Sequence, residues 1–156
     1  MSDVNFEKTV KLISWLSESV DLTQKFEQTT GWNNSIPQGT VCTCYLGENL
    51  GNEKSGTARP VIVISNDTMN KTSNNIVIAP LSTKIKYDYT KGKTALKYPT
   101  HYVLKTSNYT LLKKDSVIQL EDMRSLSKIR IGKSLFQVSK TDFENIKKRV
   151  KRVFDL

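Results

Sequence analysis

A chain of 156 residues, 37% of them hydrophobic, is long enough to bury the core of one domain, alone or with an appendage. It has no apolar run of membrane-spanning length and no signal-peptide pattern, so we expect a cytoplasmic protein without a membrane span. The net charge of +9 is uneven: the first 35 residues, with five acids against three bases, carry −2, and the remainder therefore carries +11. A basic domain behind a mildly acidic leader favours a polyanionic partner, most simply nucleic acid.

The first predicted element is an amphipathic helix over residues 3 to about 28, with Ser2 or Asp3 as its N-cap. A linker rich in turn-forming residues follows at 29–37. We therefore predict an N-terminal helix with its linker over residues 1–36 and a second domain over residues 37–156. The apolar stripe of the helix consists of Phe6, Val10, Ile13, Leu16 and Val20, widened by Leu12 and Trp15.

From Gly39 onward, short apolar runs alternate with loops rich in Gly, Asn, Thr and Lys. This pattern favours a compact, barrel-like antiparallel sheet. A short turn or helix is predicted at 67–71. The predicted strands are 39–46, 60–65, 75–81, 100–105, 115–121 and one near 133–138.

Two cysteines, Cys42 and Cys44, lie two residues apart on the first predicted strand and therefore face the same side. Cysteines at that spacing rarely form a disulfide, and no further Cys or His pair completes a zinc site. We predict that both are structural apolar residues.

The last predicted element is a helix that begins with a Thr141-x-x-Glu144 capping box. Its C-terminal half is crowded with bases, which could contact RNA, an acidic partner or only water; a solvated face is the favoured interpretation. The apolar face comprises Phe143, Ile146, Val150, Val153 and Phe154, and the bases are Lys147, Lys148, Arg149, Lys151 and Arg152.

The segment GNEKSGTARPVIVIS, residues 51–65, indicates a Gly-rich polar loop that ends at Arg59 and enters a hydrophobic strand. Pro60 lacks an N–H and is tolerated at the start of a strand. Arg59 is thereby placed at the mouth of a rigid strand. A planar, always-charged guanidinium in that position suits a phosphate better than a protein core.

Three blocks of the chain match one known family in order and spacing. They are residues 51–67 (GNEKSGTARP followed by VIVISND), residues 75–85 (NIVIAPLSTKI), and residues 99–104 with 114–131 (PTHYVL and KDSVIQLEDMRSLSKIRI). Over roughly residues 37–155 the chain resembles the MazF/PemK family of toxin endoribonucleases. The first 35 residues lie outside this resemblance.

The resemblance implies a mainly β fold with flanking helices, an SH3-like, CcdB–PemK-type curved antiparallel barrel, usually paired as a homodimer. It implies cleavage of single-stranded mRNA at short motifs, without metal or cofactor, leaving 2′,3′-cyclic phosphate and 5′-OH ends. It also implies a cognate antitoxin with an acidic tail, and DNA binding by the toxin–antitoxin complex.

The catalytic residues that the resemblance implies are Arg59, Ser82, Glu53 and Glu121. Arg59 would stabilise the charge of the phosphorane. Ser82 stands where many relatives have threonine and keeps the hydroxyl; the alternative is that it only starts a turn. Glu53 would hold Arg59 or act as a base, or it is only a solvated charge. Glu121 is an acid/base candidate.

Two positions depart from one branch of the family. Asn52 stands where that branch has a catalytic histidine, and Gln119 stands where it has an arginine, so that mechanism does not carry over whole. His101, the sole histidine, is predicted to be structural and shows no evident partner. Arg124 is a candidate for phosphate or base contact, or for a structural salt bridge.

The loop after Ser82 combines lysines with Tyr87 and Tyr89, a combination that suits single-stranded RNA. Its lysines are Lys84, Lys86, Lys91 and Lys93. The predicted RNA-binding residues are Asn52, Thr57, Thr83, Lys84, Lys86 and Arg124.

Two alternatives to a ribonuclease stay open. One is a non-cleaving toxin of the same fold that inhibits DNA gyrase, and the other is an RNA-binding module whose activity has decayed. For the N-terminal helix the hypotheses are that it screens the RNA groove, covers a sheet edge or docks an antitoxin.

Overall fold

The computed structural model describes residues 5–29, 35–92 and 94–156. It contains three α-helices and seven strands within these ranges, in the order α1-β1-β2-α2-β3-β4-β5-β6-β7-α3. The helices are α1 (Phe6–Gln28), α2 (Asp67–Thr72) and α3 (Lys140–Phe154). The strands are β1 (Thr40–Cys44), β2 (Arg59–Val63), β3 (Asn75–Ser82), β4 (His101–Leu104), β5 (Ser116–Gln119), β6 (Arg124–Ser127) and β7 (Ile131–Gln137).

The strands form one antiparallel sheet in the order β4-β5-β3-β2-β1-β7, and β6 pairs with β3. Strand β3 is long enough to pair with two strands along the same edge: residues 75–78 pair with β6, and residues 81–82 pair with β5. The predicted mainly β architecture with a helix at each end is confirmed. The sheet stays open, however, with β4 and β7 at the ends of the strand order.

Alternating side chains divide the buried residues between the two faces of the sheet. On one face, α3 packs through Phe143, Ile146, Val150 and Val153 against a cluster that includes Val41 and Ile118. The other face holds a second cluster: Cys42, Cys44, Leu46, Val61, Val63, Ile76 and Ile78.

Both cysteines are buried and free in the second cluster, on the same face as predicted. Burial raises the pKa of each thiol to about 12, so neither is a thiolate at neutral pH. None of the helices in the described ranges is long and apolar enough to span a membrane.

The helix starts differ from their predictions. Ser2 and Asp3 are outside the described residues; α1 starts at Phe6, and Asn5 is its N-cap because its Oδ1 accepts from the Lys8 N–H at 3.1 Å. The prediction that Thr141-x-x-Glu144 caps α3 is wrong. Ser139 is the N-cap, because its Oγ accepts from the Asp142 N–H at 3.1 Å.

The middle of the chain follows the prediction more closely. The 67–71 turn or helix is α2, and Asn66 caps it. Residues 30–34 of the predicted linker and Lys93 of the basic loop lie outside the described residues. Strand β6 is not among the predicted strands.

Candidate active site

The loop that precedes β2 is held in shape by main-chain hydrogen bonds. Gly47 and Gly56 exchange N–H···O=C bonds at 3.2 and 2.9 Å, which closes the loop at its base. Arg124 Nη2 donates to the carbonyls of Leu46 and Lys54, each at 3.3 Å. Arg124 therefore holds the loop, a structural role that does not depend on RNA.

Arg59, at the end of this loop, is oriented by two main-chain acceptors. Its Nε–H donates to the Leu81 carbonyl at 3.3 Å, and an Nη1–H donates to the Ser55 carbonyl at 2.8 Å. The guanidinium therefore bridges the loop and β3. Among the residues that the structure describes, no carboxylate lies within 4.0 Å of it. Its remaining N–H groups are available to an anionic ligand.

A groove of about 450 Å³ opens beside the Arg59 side chain. It contains four cationic residues and no acidic one in its lining. The residues that line it are Lys54, Arg59, Pro60, Leu81, Ser82, Thr83, Lys84, Lys86, Ser116 and Gln119. We call this surface the Arg59 groove.

Ser82 is the last residue of β3, directly after Leu81, and both residues line the groove. Its Oγ accepts the Lys84 N–H at 3.2 Å, so the hydroxyl also shapes the start of the following loop. The hydroxyl proton remains able to donate to an anion. Both interpretations of Ser82 from the sequence are thus compatible with its position.

A second depression, of about 230 Å³, shares Lys54 with the groove. Its lining is Glu53, Lys54, Glu121, Asp122, Met123 and Arg124. The two predicted catalytic glutamates therefore lie beside the groove and not in its lining. Lys54 stands between the two surfaces and is 3.5 Å from the Asp122 carboxylate.

Glu121 is held by two side chains that precede and begin β4. His101 Nε2 lies 2.5 Å from its Oε1, and the Thr100 hydroxyl donates to its Oε2 at 2.8 Å. Burial opposes ionisation, but the Glu121 main-chain N–H and the His101 and Thr100 hydrogen bonds outweigh it and lower the pKa of Glu121. Glu121 is therefore a carboxylate at neutral pH.

The expectation that His101 lacks a partner is wrong. The antiparallel register places His101 opposite Gln119, and the short 3₁₀ helix Leu120–Asp122 then brings Glu121 back over the ring. His101 itself is buried, and its ring stacks at a tilt on Tyr98 with centroids 4.8 Å apart. It is a structural residue that also positions a predicted catalytic carboxylate.

The remaining predicted residues divide between the groove and the loop. Thr83, Lys84 and Lys86 line the groove with Arg59, whereas Asn52 and Thr57 are exposed on the loop and outside its lining. The Lys86 ammonium lies 5.8 Å from the centre of the Tyr98 ring. Tyr87 and Tyr89 form a tilted aromatic pair further along the same loop.

Three polar residues of the groove were not predicted as site residues: Lys54, Ser116 and Gln119. Lys54 could have been predicted from the local sequence, because it is a base next to Glu53 in the loop before Arg59. Gln119 reaches the groove from β5, and its Oε1 is buried without a hydrogen-bond partner among the described residues. Within those same residues no three His, Cys, Asp or Glu side chains lie together as metal ligands would.

The sequence comparisons agree on one family. Residues 37–154 match the family described as PemK-like, MazF-like toxin of type II toxin–antitoxin system. The chain is 37% identical over 106 residues to a protein of Staphylococcus epidermidis named endoribonuclease MazF, covering 68% of this chain and 80% of that protein. A Staphylococcus saprophyticus protein of the same name is 37% identical over 102 residues, covering 65% and 77%.

Solved structures of low sequence identity share the fold. MazF from Deinococcus radiodurans superimposes with a TM-score of 0.62 at 16% identity, covering 78% of this chain and 98% of that one. An endoribonuclease from a mycobacterial species gives 0.60 at 18% identity, covering 81% and 97%. A mycobacterial endoribonuclease in complex with its cognate antitoxin gives 0.55 at 20% identity, covering 79% and 96%.

The family match extends from three residues before β1 to the end of α3 and includes the whole sheet and the Arg59 groove. The N-terminal helix α1 lies outside it. The chain belongs to the PemK/MazF-like toxin family of type II toxin–antitoxin systems.

Proposed function

We propose that the chain is a toxin endoribonuclease that cleaves single-stranded RNA at short sequence motifs without a metal ion. The observation that carries the proposal is the Arg59 guanidinium, fixed by two main-chain carbonyls in a cationic groove with no carboxylate within 4.0 Å in the described ranges. The curated relatives in the same family are named endoribonucleases, which supports this activity.

The proposed reaction is attack of the ribose 2′-OH on the adjacent phosphorus. The bond to the 5′-oxygen breaks and this oxygen takes up one proton, which balances the proton lost by the 2′-OH and leaves a 2′,3′-cyclic phosphate and a 5′-OH end. Arg59 stabilises the additional negative charge of the phosphorane with two parallel N–H donors. The Ser82 hydroxyl donates to a non-bridging phosphate oxygen from the same groove.

The 2′-OH must also lose a proton to a base, and Glu121 is the better supported of the two predicted glutamates. Its carboxylate is ionised and held by His101 and Thr100, beside the groove wall formed by Lys54. Glu53 is exposed on the loop. A fixed base loses less conformational entropy in the transition state than a mobile one.

RNA binding is proposed to extend along the groove to the loop after Ser82. Lys84 and Lys86 supply positive charge there, and Tyr89 exposes 76% of its surface for stacking on an unpaired base. Asn52 and Thr57, exposed on the opposite loop, are proposed to contact the RNA from the other side. Arg124 would act indirectly, by holding that loop.

The proposed partners follow from the family. The mycobacterial endoribonuclease of the same fold was solved in complex with its cognate antitoxin, which supports a cognate antitoxin for this chain. We also propose a homodimer located in the cytoplasm. Residues 1–36 are proposed as an addition to a toxin domain of residues 37–156, and the start of the family match at residue 37 supports this division.

The test is cleavage of a long single-stranded RNA by the purified chain in EDTA, beside Arg59→Ala and Arg59→Lys. Arg59→Ala should lower the cleavage rate by about 100- to 1,000-fold, because it removes the main stabilising charge. Arg59→Lys keeps the charge but loses the two-pronged geometry, and should recover only part of that loss. Product ends are identified by phosphorylation of the 5′-OH and by acid opening of the cyclic phosphate.

Urea denaturation of each variant supplies the folding control. Binding of the RNA without cleavage by the wild type would support a decayed RNA-binding module. Inhibition of DNA gyrase without RNA binding would support the gyrase inhibitor instead. Cleavage that Arg59→Ala leaves unchanged would remove the proposed role of the groove.

A further inference from the structure

A second cationic cleft lies on the face of the sheet that α3 covers, between α3 and β4. Its volume is about 360 Å³, and it is lined by Tyr102, Asn145, Lys148, Arg149 and Arg152. Among the described residues, none of its three cationic side chains has a carboxylate within 4.0 Å. The cleft shares no lining residue with the Arg59 groove.

Arg149 forms the inner wall of this cleft. One Nη1–H donates to the Pro99 carbonyl at 2.9 Å, and the guanidinium carbon lies 5.6 Å from the centre of the Tyr102 ring. Its Nε is buried and has no hydrogen-bond partner within the described residues. Burial, and secondarily the charge of Arg152, lower the pKa of Arg149, so the site is an unfavourable one for a cation without an anion nearby.

The two acids of α3 closest in sequence to the cleft do not line it, and each has its own hydrogen-bond or ion-pair partners. Asp142 accepts hydrogen bonds from the hydroxyls of Tyr102 and Tyr109. Glu144 pairs with Lys147 at 2.8 Å, and neither of these two residues lines the cleft. Lys148, Arg149 and Arg152 therefore line one cleft without an ion-pair partner among the described residues, whereas Lys147 lies outside it and forms an ion pair.

We propose that this cleft is a second phosphate site, which holds the RNA backbone outside the cleavage groove; the proposal rests on the proposed ribonuclease function. Guanidinium and ammonium groups with a neighbouring amide suit the non-bridging oxygens of a phosphodiester. Pro99, the acceptor of Arg149, precedes Thr100, which binds Glu121 beside the groove. In the proposed path a single RNA strand crosses edge strand β4 at this turn and joins the two sites.

The test compares two double variants of α3 that remove equal charge. Lys148→Gln/Arg152→Gln changes the two exposed cations of the cleft, and Lys147→Gln/Lys151→Gln changes two exposed cations outside its lining. Arg149 is left in place because it also binds the Pro99 carbonyl. Each protein carries Arg59→Ala to prevent cleavage, and binding of fluorescein-labelled RNAs of 6 and 20 nucleotides is measured between 50 and 200 mM salt.

The cleft variant should bind the 20-mer roughly tenfold more weakly at 100 mM salt, with the slope of log K against log salt reduced by about 1.4, the value for two lost phosphate contacts. Binding of the 6-mer should stay within about twofold. The control variant should change both RNAs by less than about threefold. Circular dichroism and size-exclusion chromatography confirm that fold and oligomeric state are retained.

Three outcomes of the comparison between the double variants overturn the proposal: equal loss in both double variants, equal loss for both RNAs, or a change of oligomeric state in the cleft variant. Loss of binding to a polyglutamate peptide without loss of 20-mer binding also overturns it and assigns the cleft to an acidic protein partner. Cleavage of a long single-stranded RNA by the chain with Arg59 intact is measured separately, because a 20-mer can lack the sequence motif at which the chain cleaves. Its absence removes the proposed function, whereas the binding comparison still decides the cleft.

Discussion

The two terminal helices are both amphipathic, yet they relate to the sheet in opposite ways. α3 places Ile146 in the core with 0% exposure, whereas α1 has no buried residue and leaves Phe6 80% and Ile13 64% exposed. One contact of α1 with the domain is made by Trp15, whose ring lies against Gly47 and 5.1 Å from the Arg130 guanidinium carbon. An apolar stripe therefore predicts which face of a helix is hydrophobic. It does not predict that this face is buried against the rest of the same chain.

The sharpest test of this contrast is the same substitution on both helices. Ile146→Ala should lower the free energy of unfolding by about 3 kcal/mol, because it leaves a cavity between α3 and the sheet. Ile13→Ala should change it by less than about 0.5 kcal/mol. Urea denaturation of the two variants checks this, and equal losses would mean that α1 is packed as firmly as α3.

A second test addresses the polar anchor of α3. Asp142→Asn should destabilise the fold by about 1 to 2 kcal/mol at pH 7, because the Tyr102 and Tyr109 hydroxyls lose a charged acceptor. Burial opposes ionisation of Asp142, but the Tyr102, Tyr109 and Ser139 hydrogen bonds outweigh it and lower its pKa below the ordinary 3.8. A lowered pKa stabilises the fold above the unfolded value, and this contribution is lost as the pH falls through the folded value.

The difference in unfolding free energy between wild type and Asp142→Asn should therefore be constant above pH 5 and narrow below about pH 4. Urea denaturation at several pH values measures it. A difference that persists unchanged at pH 3 would contradict the assignment to the charged carboxylate.

The smallest expected effect concerns the contact of α1. Trp15→Ala should cost about 1 kcal/mol, since the indole covers Gly47 and stacks on Arg130 but is only half-buried. Leu16→Ala, next to it and 64% exposed, is the control and should be nearly neutral. If both variants are neutral, α1 is not anchored to the domain through Trp15.

The hypothesis that α1 screens the RNA groove finds no support in the position of the helix. α1 lies beside the short 3₁₀ helix Lys128–Arg130 and the start of β3, and none of its residues lines the Arg59 groove. Its contacts are closer to those expected of a helix that covers one end of the sheet. The apolar stripe of α1 is exposed, and the hypothesis that it docks an antitoxin stays a prediction.

What the sequence could predict depended on how local each signal was. Arg59 and Ser82 could be predicted because each lies at a strand end that its own neighbours mark. Pro60 marks the start of β2 next to Arg59, and the apolar run of β3 ends at Ser82. Strand β6 was missed because its four residues, RSLS, are mostly polar and are recognisable only by their pairing with β3. The His101–Glu121 pair depends on the β4–β5 register, which no local pattern fixes.

The main-chain origin of the two acceptors at Arg59 bears on how this site tolerates sequence drift. Any residue type supplies a carbonyl oxygen, so positions 55 and 81 can change side chain without releasing the guanidinium. The location of the positive charge is thereby uncoupled from the chemistry of its neighbours. Selection at this site acts on the path of the backbone, and the loop and the strand can diverge in composition while the arginine stays in place.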